Sequence, residues 1–136
     1  MDKMSKTITF FEKEIDRLAK EYGLPEHHYM YVRQSKTFME KYYSDKIELD
    51  QIAAAAFMSR FHYIRIFQQV YGMTPRQYLR DLRIKKAKEL LKKGHSVTQV
   101  CFDVGYDSLP TFSKVFKRGT GYSPREYRQL NISNLE

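Results

Sequence analysis

One stretch of the chain, from Ser59 to Val70, carries side chains suited to contact with the edges of bases. In a helix its apolar residues share one face and must meet a core. They are Tyr63, Ile66, Phe67 and Val70. At about 100° per residue, Phe61, Arg65 and Gln68 lie on the opposite face with Ile64 at its flank. Because Arg can pair with guanine, Gln with adenine and apolar groups with the thymine methyl, this face suits the major groove of DNA.

A second stretch, 108–119, has the same design. Its inward residues are Phe112, Val115 and Phe116. Its outward and flanking residues are Pro110, Thr111, Ser113, Lys114 and Lys117. Any amphipathic helix has a charged outer face, so one such face alone would mean little. Its repetition, together with Phe61 and Ile64 on the predicted exposed side, favours contact with bases.

The two stretches belong to an internal repeat, which is the most informative feature of the sequence. At an offset of 49, identical or chemically close residues pair as Ser59/Ser108, Tyr63/Phe112, Arg65/Lys114, Ile66/Val115, Phe67/Phe116, Gly72/Gly121, Pro75/Pro124, Arg76/Arg125 and Tyr78/Tyr127. Upstream of the serines the offset becomes 48 and pairs Leu49/Val97, Ile52/Val100 and Ala53/Cys101. One turn is therefore a single residue longer in the second copy.

Each copy reads as a short apolar helix, a turn and a serine that can cap the next helix, which is a helix-turn-helix pattern. Gly105 follows the first helix of the second copy, where it can adopt the left-handed conformation that such turns need. In the first copy Ala56 and Phe57 occupy that region, so its turn is less clearly marked.

The remaining elements are also predicted to be helical. Periodic apolar residues predict an amphipathic helix over 7–22, a connector over 23–32 and a helix over 32–44. Pro75 opens a linker helix that stops at Gly94, and a short helix follows Pro124 to Leu130. The predicted organisation is an N-terminal helical extension (1–31), a first unit (32–74), a linker helix (75–94), a second unit (95–130) and a frayed tail (131–136).

Composition agrees with a folded protein that binds a polyanion. The chain has 136 residues, 42% of them hydrophobic, and a formal net charge of +8. Residues 1–30 carry a net charge of −1, and the excess of basic residues lies beyond them. A single cysteine, Cys101, fits a reducing compartment such as a bacterial cytoplasm. We expect no secretion signal and no membrane insertion, because the longest apolar run, Ile52 to Met58, is too short.

The chain resembles a known family, the AraC/XylS-type bacterial transcriptional regulators, in their C-terminal DNA-binding domain. The resemblance covers residues 32–130 and rests on the runs MSRFHYIRIFQQVYGMTPRQYL, RIKKAKELL and VCFDVGYDSLPTFSKVFKRGTGYSPREYR. It implies an all-α fold of two homeodomain-like helix-turn-helix subdomains joined by a long linker helix. It also implies sequence-specific binding to double-stranded DNA, and RNA polymerase is expected as a further partner.

By this resemblance the recognition helices are about 59–71 and 108–119. The candidate DNA-contacting residues are Ser59, Phe61, His62, Ile64, Arg65 and Gln68 in the first unit and Ser108, Leu109, Thr111, Ser113, Lys114 and Lys117 in the second. The sequence departs from the family pattern at two positions. Tyr63 replaces a core residue that is usually aliphatic. Lys114 replaces a residue that is often arginine, so its ammonium group offers a point charge instead of the two parallel donors of a guanidinium. Pro110 is tolerable in a first helical turn but would shorten the reach of the second helix.

Other reactive side chains have simpler interpretations. Cys101 takes the place of Ala53 in the repeat, so we expect a buried packing residue. His27 and His28 lie on the predicted connector without a set of partner ligands, so we expect a solvated pair and no metal site. A phosphate contact from His62 is as plausible as none. The sequence contains no nucleophile-base set, phosphate loop or zinc-spaced cysteines, so we expect neither catalysis nor a cofactor.

Two other classes stay open. A helical protein-interaction module or anti-regulator with a basic face is the main alternative, and nonspecific nucleic-acid binding is another. The 31 residues before the matched region are too few for a small-molecule-binding barrel, so we expect the chain to be either a stand-alone regulator or the DNA-binding part of a larger one. The operator, the regulated genes, the sign of regulation and the oligomeric state are not predicted.

Overall fold

The structure, a computed structural model, describes residues 10–13, 17 and 28–135, with no side-chain description for 133–135. Its helices are α1 (His28–Tyr42), α2 (Leu49–Ala55), α3 (Arg60–Tyr71), α4 (Pro75–Lys92), α5 (Val97–Asp103), α6 (Leu109–Thr120) and α7 (Pro124–Leu135). Within these residues there is no strand, so the predicted all-α class is confirmed. The chain forms two compact units, Met1–Leu79 and Arg80–Glu136, and the boundary falls inside α4.

The first unit is organised around α3, which packs against both α1 and α2. Its buried core comprises Phe11, Tyr31, Val32, Phe38, Met39, Ile52, Ala53, Ala56, Met58, Tyr63, Ile66, Phe67 and Leu79. Full burial of a large apolar side chain stabilises a fold by about 1.5 to 3 kcal/mol, so this cluster holds α3 firmly by its inner face. Of the predicted inward residues of α3, Tyr63, Ile66 and Phe67 are buried, and Val70 is partly buried against the same cluster.

The prediction of a connector over 23–32 is wrong for its last residues, because α1 begins at His28. Tyr31 and Val32 are fully buried in the core, and that burial stabilises helical structure earlier than the sequence periodicity indicated. Of the helix predicted over 7–22, residues 10–13 and 17 are described and helical, and the rest lies outside the described residues. Phe11 packs on Phe38 with ring centroids 5.0 Å apart.

The second unit contains most of α4 together with α5, α6 and α7. Its fully buried side chains are Ala87, Leu91, Val100, Cys101, Val104, Phe112 and Phe116. Cys101 is therefore a packing residue as predicted, and burial, with a smaller effect of Asp107, raises the pKa of its thiol. The Arg128 guanidinium donates to the carbonyls of Gly94 and His95 at 2.9 and 3.0 Å, which ties α7 to the end of α4.

The predicted frayed tail is wrong in part, because α7 continues beyond Leu130 to Leu135. The side chain of Asn131 donates to the carbonyl of Tyr127 at 2.7 Å, a bond from residue i to residue i−4 that fits a continuing helix.

Both helix-turn-helix turns close with the same hydrogen bonds. In the first, Phe57 N donates to Ala54 O at 3.0 Å and Met58 N to Ala53 O at 2.9 Å. In the second, Gly105 N donates to Phe102 O at 3.1 Å and Tyr106 N to Cys101 O at 3.0 Å. This pair of bonds is the Schellman motif, whose closing residue is left-handed. Gly105 has φ 101°, and Phe57 adopts φ 61° without being a glycine.

Candidate nucleic-acid interface

The predicted recognition helix of the first unit, α3, begins at a side-chain cap. Ser59 is extended, with φ −69° and ψ 159°, and its hydroxyl accepts from the backbone N–H of His62 at 3.2 Å. Gly72 ends the helix in the left-handed conformation, with φ 74°. Ser59 is thus engaged within the protein, and as a cap it positions the base-contacting candidates that follow it.

The outward face of α3 matches the predicted one. Phe61 is 80% exposed, the largest exposed fraction among the large apolar side chains that the structure describes. Arg65 and Gln68 are also exposed, and Ile64 is half-buried at the flank. An exposed ring, a guanidinium and an amide therefore stand on one face of a helix whose other face is locked into the core.

His62 is more constrained than the sequence indicated. Its Nε2 lies 3.0 Å from Nδ1 of His28 on α1, and its Nδ1 lies 3.0 Å from an Nη2 of Arg65. The prediction of a solvated histidine pair is therefore wrong for His28, which is half-buried against His62, while His27 falls in a part of the chain that the structure does not describe. Burial and, secondly, the neighbouring His62 lower the pKa of His28.

The predicted recognition helix of the second unit, α6, repeats this construction. The hydroxyl of Ser108 accepts from Thr111 N at 3.4 Å, and Gly121 ends the helix at φ 84°. On the inner face, Phe112 lies 5.5 Å from Tyr106 and Phe116 lies 5.4 Å from Tyr127, measured between ring centroids.

The candidate contact residues of α6 differ in exposure. Thr111, Lys114 and Lys117 are exposed, whereas Leu109 and Ser113 are half-buried. Pro110 stands in the first helical turn, as predicted, where the absence of its N–H breaks no helical bond.

The basic side chains of α4 are not equivalent. The Arg83 guanidinium lies 5.6 Å from the ring centroid of Tyr106, and burial lowers its pKa. Arg80 lies 3.4 Å from Asp81, and Lys86 lies 3.7 Å from Glu89. Arg83 therefore has a structural role in the second unit, which the charge count of the sequence could not distinguish.

The second unit also has a cavity of about 410 Å³ that sequence reasoning missed. It is lined by Arg80, Asp81, Ile84, Lys85, Lys88, Val115, Arg118 and Gly119. These residues come from α4 and α6. No local sequence pattern shows that the cationic side chains of these two helices line the same cavity. In the part of the chain that the structure describes, no three His, Cys, Asp or Glu side chains are grouped to hold a metal ion. No helix of that part is long and apolar enough to cross a membrane.

Comparison with known proteins identifies this arrangement. Residues 52–130, more than half of the chain, match the family described as helix-turn-helix domain, and the chain belongs to that family. It is 36% identical over 93 residues to the MmsAB operon regulatory protein of Pseudomonas aeruginosa, covering 68% of this chain and 30% of that protein. It is 34% identical over 100 residues to the transcriptional activator RhaS of Escherichia fergusonii, covering 73% of this chain and 36% of that protein.

Solved structures give the particular type. The DNA-binding domain of the global transcriptional factor AdpA, in complex with a target DNA, is 27% identical with a TM-score of 0.71, covering 76% of this chain and 94% of that one. A transcriptional regulator of Chromobacterium violaceum, described as having an AraC-type DNA-binding domain, is 27% identical with a TM-score of 0.66, covering 79% of this chain and 96% of that one. The resemblance to the AraC-type DNA-binding domain is therefore confirmed, and the chain spans about a third of the length of the curated relatives it matches.

Proposed function

We propose that this chain is a sequence-specific transcription regulator that inserts α3 and α6 into successive major grooves of double-stranded DNA. The observation that carries the proposal is that the same structural motif occurs in both units. In each unit a serine-capped helix is fixed to the core by aromatic residues and exposes polar and cationic side chains on its outer face. A single amphipathic helix would not require a second copy with the same cap and the same turn.

Base contacts are assigned mainly to α3 in this proposal. Arg65 can form a bidentate pair with guanine, Gln68 can pair with adenine, and Phe61 and Ile64 can contact thymine methyl groups. On α6, Lys114 and Lys117 supply charge, and Thr111 and Ser113 supply hydroxyls. Ser59, Ser108, Leu109 and His62 lie at or near the helix starts, where they position the helices or approach phosphates.

The relatives support a role in transcription. RhaS is named an activator and AdpA a global transcriptional factor. We propose that this chain likewise regulates transcription together with RNA polymerase in the cytoplasm of a bacterial cell. In this role it catalyses no reaction.

Selection of bound DNA from a random pool, followed by titration of the selected and a scrambled duplex, tests the proposal. We expect the selected duplex to bind at least about a thousandfold more tightly, and both affinities to fall steeply between 50 and 200 mM salt, by about 10³-fold or more for six or more neutralised phosphates. A ratio close to one would indicate nonspecific nucleic-acid binding. Absence of salt-dependent binding to either duplex would favour the protein-interaction alternative.

A further inference from the structure

Three side chains form a connected row at the start of α3. Arg65 Nη2 lies 3.0 Å from His62 Nδ1, and His62 Nε2 lies 3.0 Å from His28 Nδ1. The two imidazole rings meet edge to face, with centroids 4.9 Å apart and an interplanar angle of 70°. The row joins a candidate base-contacting residue to a residue of α1 that lies 34 positions from His62 in the sequence.

The protonation state of this row follows from its donors. A guanidinium only donates, so His62 Nδ1 must accept and the proton of that ring must lie on Nε2. That Nε2–H then donates to His28 Nδ1, which puts the His28 proton on its own Nε2. This last atom is buried and has no hydrogen-bond partner among the described residues. Both imidazoles must therefore be neutral for the row to exist.

A metal ion is the competing explanation for two imidazole nitrogens this close together. Zinc needs three or four ligands in proteins, and the described residues supply no third His, Cys, Asp or Glu. The Arg65 cation, 3.0 Å from His62 Nδ1, would also repel a metal ion bound to that ring. The hydrogen-bonded row accounts for all three side chains, whereas a metal accounts for two.

We propose that His28, acting through His62, is a positioning residue that holds the Arg65 guanidinium ready for a base. The inference rests on the proposed function and deepens it. Nη2 carries two hydrogens, so one can bond to His62 while the other, with Nη1, remains for a base. Because an arginine loses considerable rotamer freedom on binding, orienting it in the free protein lowers the entropic cost of forming the complex.

The row is sensitive to pH. Protonating Nδ1 of either ring places a donor where the row needs an acceptor. Among the described residues, His28 contacts Tyr31 of α1, whose ring centroid is 6.4 Å away, and His62 of α3, and the charged Arg65 of α3 lies on the far side of His62. The ion pair of Arg60 with Asp50, at 3.5 Å, joins the same end of α3 to α2. Because the folded-state pKa of His28 is lowered, the row is complete above the usual imidazole range and is lost as pH falls through that lowered value.

Two substitutions of His28 separate hydrogen bonding from packing. In His28→Asn, the Oδ1 can take the place of Nδ1 and accept from His62, whereas His28→Phe keeps a ring and removes the acceptor. The readout is the ratio of affinities for selected and scrambled DNA, in which general effects of charge cancel. At about pH 7.5 we expect Phe to lower this ratio about three- to tenfold, as for one hydrogen bond, and Asn to restore it.

The same titrations in an Arg65→Ala background complete a double-mutant cycle. There, His28→Phe should leave the ratio unchanged, and the fall of the ratio that we expect of the unmodified protein as the pH drops through the lowered pKa of His28 should disappear. Equal losses from Phe and Asn, or a loss from Phe that persists without Arg65, would overturn the inference while leaving sequence-specific binding intact. If the unmodified protein shows no specificity at all, it is the proposed function that fails.

Nitrogen-15 spectra of the imidazoles in the DNA-free protein test the row without DNA. In the row the hydrogen bonds place the proton of each ring on Nε2, and we expect the spectra to report this tautomer. A proton on Nδ1 of His62 would contradict the row, and so would stoichiometric binding of Zn²⁺ that shifts both rings.

Discussion

Arg65 is the residue to which the proposed function assigns the most specific base contact. It is exposed on the outer face of α3, and its guanidinium is oriented by His62 rather than by an acidic partner among the contacts of the described residues. A guanidinium of this kind offers two parallel donors to guanine, which a lysine cannot do. Lys114, its counterpart in the repeat, therefore has less capacity to distinguish bases, so α3 would contribute more specificity than α6.

Replacing Arg65 by alanine should weaken binding to selected DNA by about 1 to 3 kcal/mol and relax the preference at one base pair. Lys92→Ala, on an exposed position of α4, is the matched control, because loss of a positive charge without a base contact should weaken binding to selected and random DNA alike. Affinities measured on a panel of single-base variants of the site decide the matter. Equal losses on cognate and random DNA would remove Arg65 from the base-contacting residues.

A second residue-scale feature is a buried pair of hydroxyls beneath α3. Tyr63 Oη donates to Ser35 Oγ at 2.8 Å, and Ser35 Oγ donates to Val32 O at 2.6 Å. Burial raises the pKa of Tyr63 well above its usual range, which the bond to Ser35 only partly offsets. The tyrosine that departs from the family pattern is therefore accommodated by a serine of α1.

This pair predicts an order of stabilities. Tyr63→Phe removes a donor and should cost about 0.5 to 1.5 kcal/mol, whereas Ser35→Ala strands a buried phenol hydroxyl and should cost about 1 to 3 kcal/mol. The double substitution should cost less than the sum of the two, since it removes both polar groups together. Urea denaturation of the four proteins measures these differences. A Ser35→Ala protein as stable as the parent would contradict the proposed hydrogen-bond geometry.

At the scale of elements, the two helix-turn-helix turns are the same motif built from different residues. Both form the paired bonds of the Schellman motif, yet the left-handed residue is Gly105 in one and Phe57 in the other. Left-handed backbone costs a non-glycine residue about 1 to 2 kcal/mol. The first turn therefore holds strain beside the recognition helix, and the Phe57 ring gains little from burial because it is 54% exposed.

The strain at Phe57 predicts that glycine at this position gives a more stable protein than alanine, the reverse of their usual order. Phe57→Gly and Phe57→Ala lose the same ring, but only glycine relieves the backbone, so the glycine protein should be the more stable by about 1 kcal/mol. Thermal melting of the two proteins gives the comparison, and Gly105→Ala, expected to lower stability, is its counterpart in the second unit. If alanine proved the more stable at position 57, the left-handed conformation would not be the one adopted in solution.

At the scale of the whole molecule, two similar units in one chain need not bind a palindrome. A monomer with tandem recognition helices should occupy an asymmetric site, with major grooves on one face of DNA separated by roughly 34 to 36 Å. If the unbound geometry does not match that separation, the DNA must bend, at a cost on the order of 1 to 6 kcal/mol.

Insertion of about five base pairs between the two half-sites turns one groove to the far side of the duplex, so affinity should fall nearly to the nonspecific level. Insertion of about ten base pairs returns both grooves to the same face of the duplex but increases the distance between them, and it serves as the control for spacing. Gel-shift titrations with the protein's molar mass determined in the complex give both affinity and stoichiometry. Unchanged affinity after the shorter insertion, or a palindromic site filled only by dimers, would contradict the proposal.

Local sequence patterns were sufficient to predict the architecture and the outer faces of both recognition helices. The periodicity of Tyr63, Ile66 and Phe67, the capping serines and the repeat all act within a few residues of the positions they describe, so they can be recognised without coordinates. The same reasoning placed the start of α1 too late and ended α7 too early, because both limits depend on packing or on bonds formed beyond the periodic stretch.

Only the tertiary structure decided which distant side chains meet. His28 with His62, Ser35 with Tyr63, and Arg128 with the Gly94 carbonyl are separated by 34, 28 and 34 residues. The first two pairs join different helices, and the third joins α7 to the turn after α4. Contact in each pair depends on how the helices pack and which rotamers the core permits, neither of which leaves a periodic pattern in the chain. For this reason Arg65 could be proposed from the sequence as a base-contacting candidate, while its connection to the two histidines became evident only from the fold.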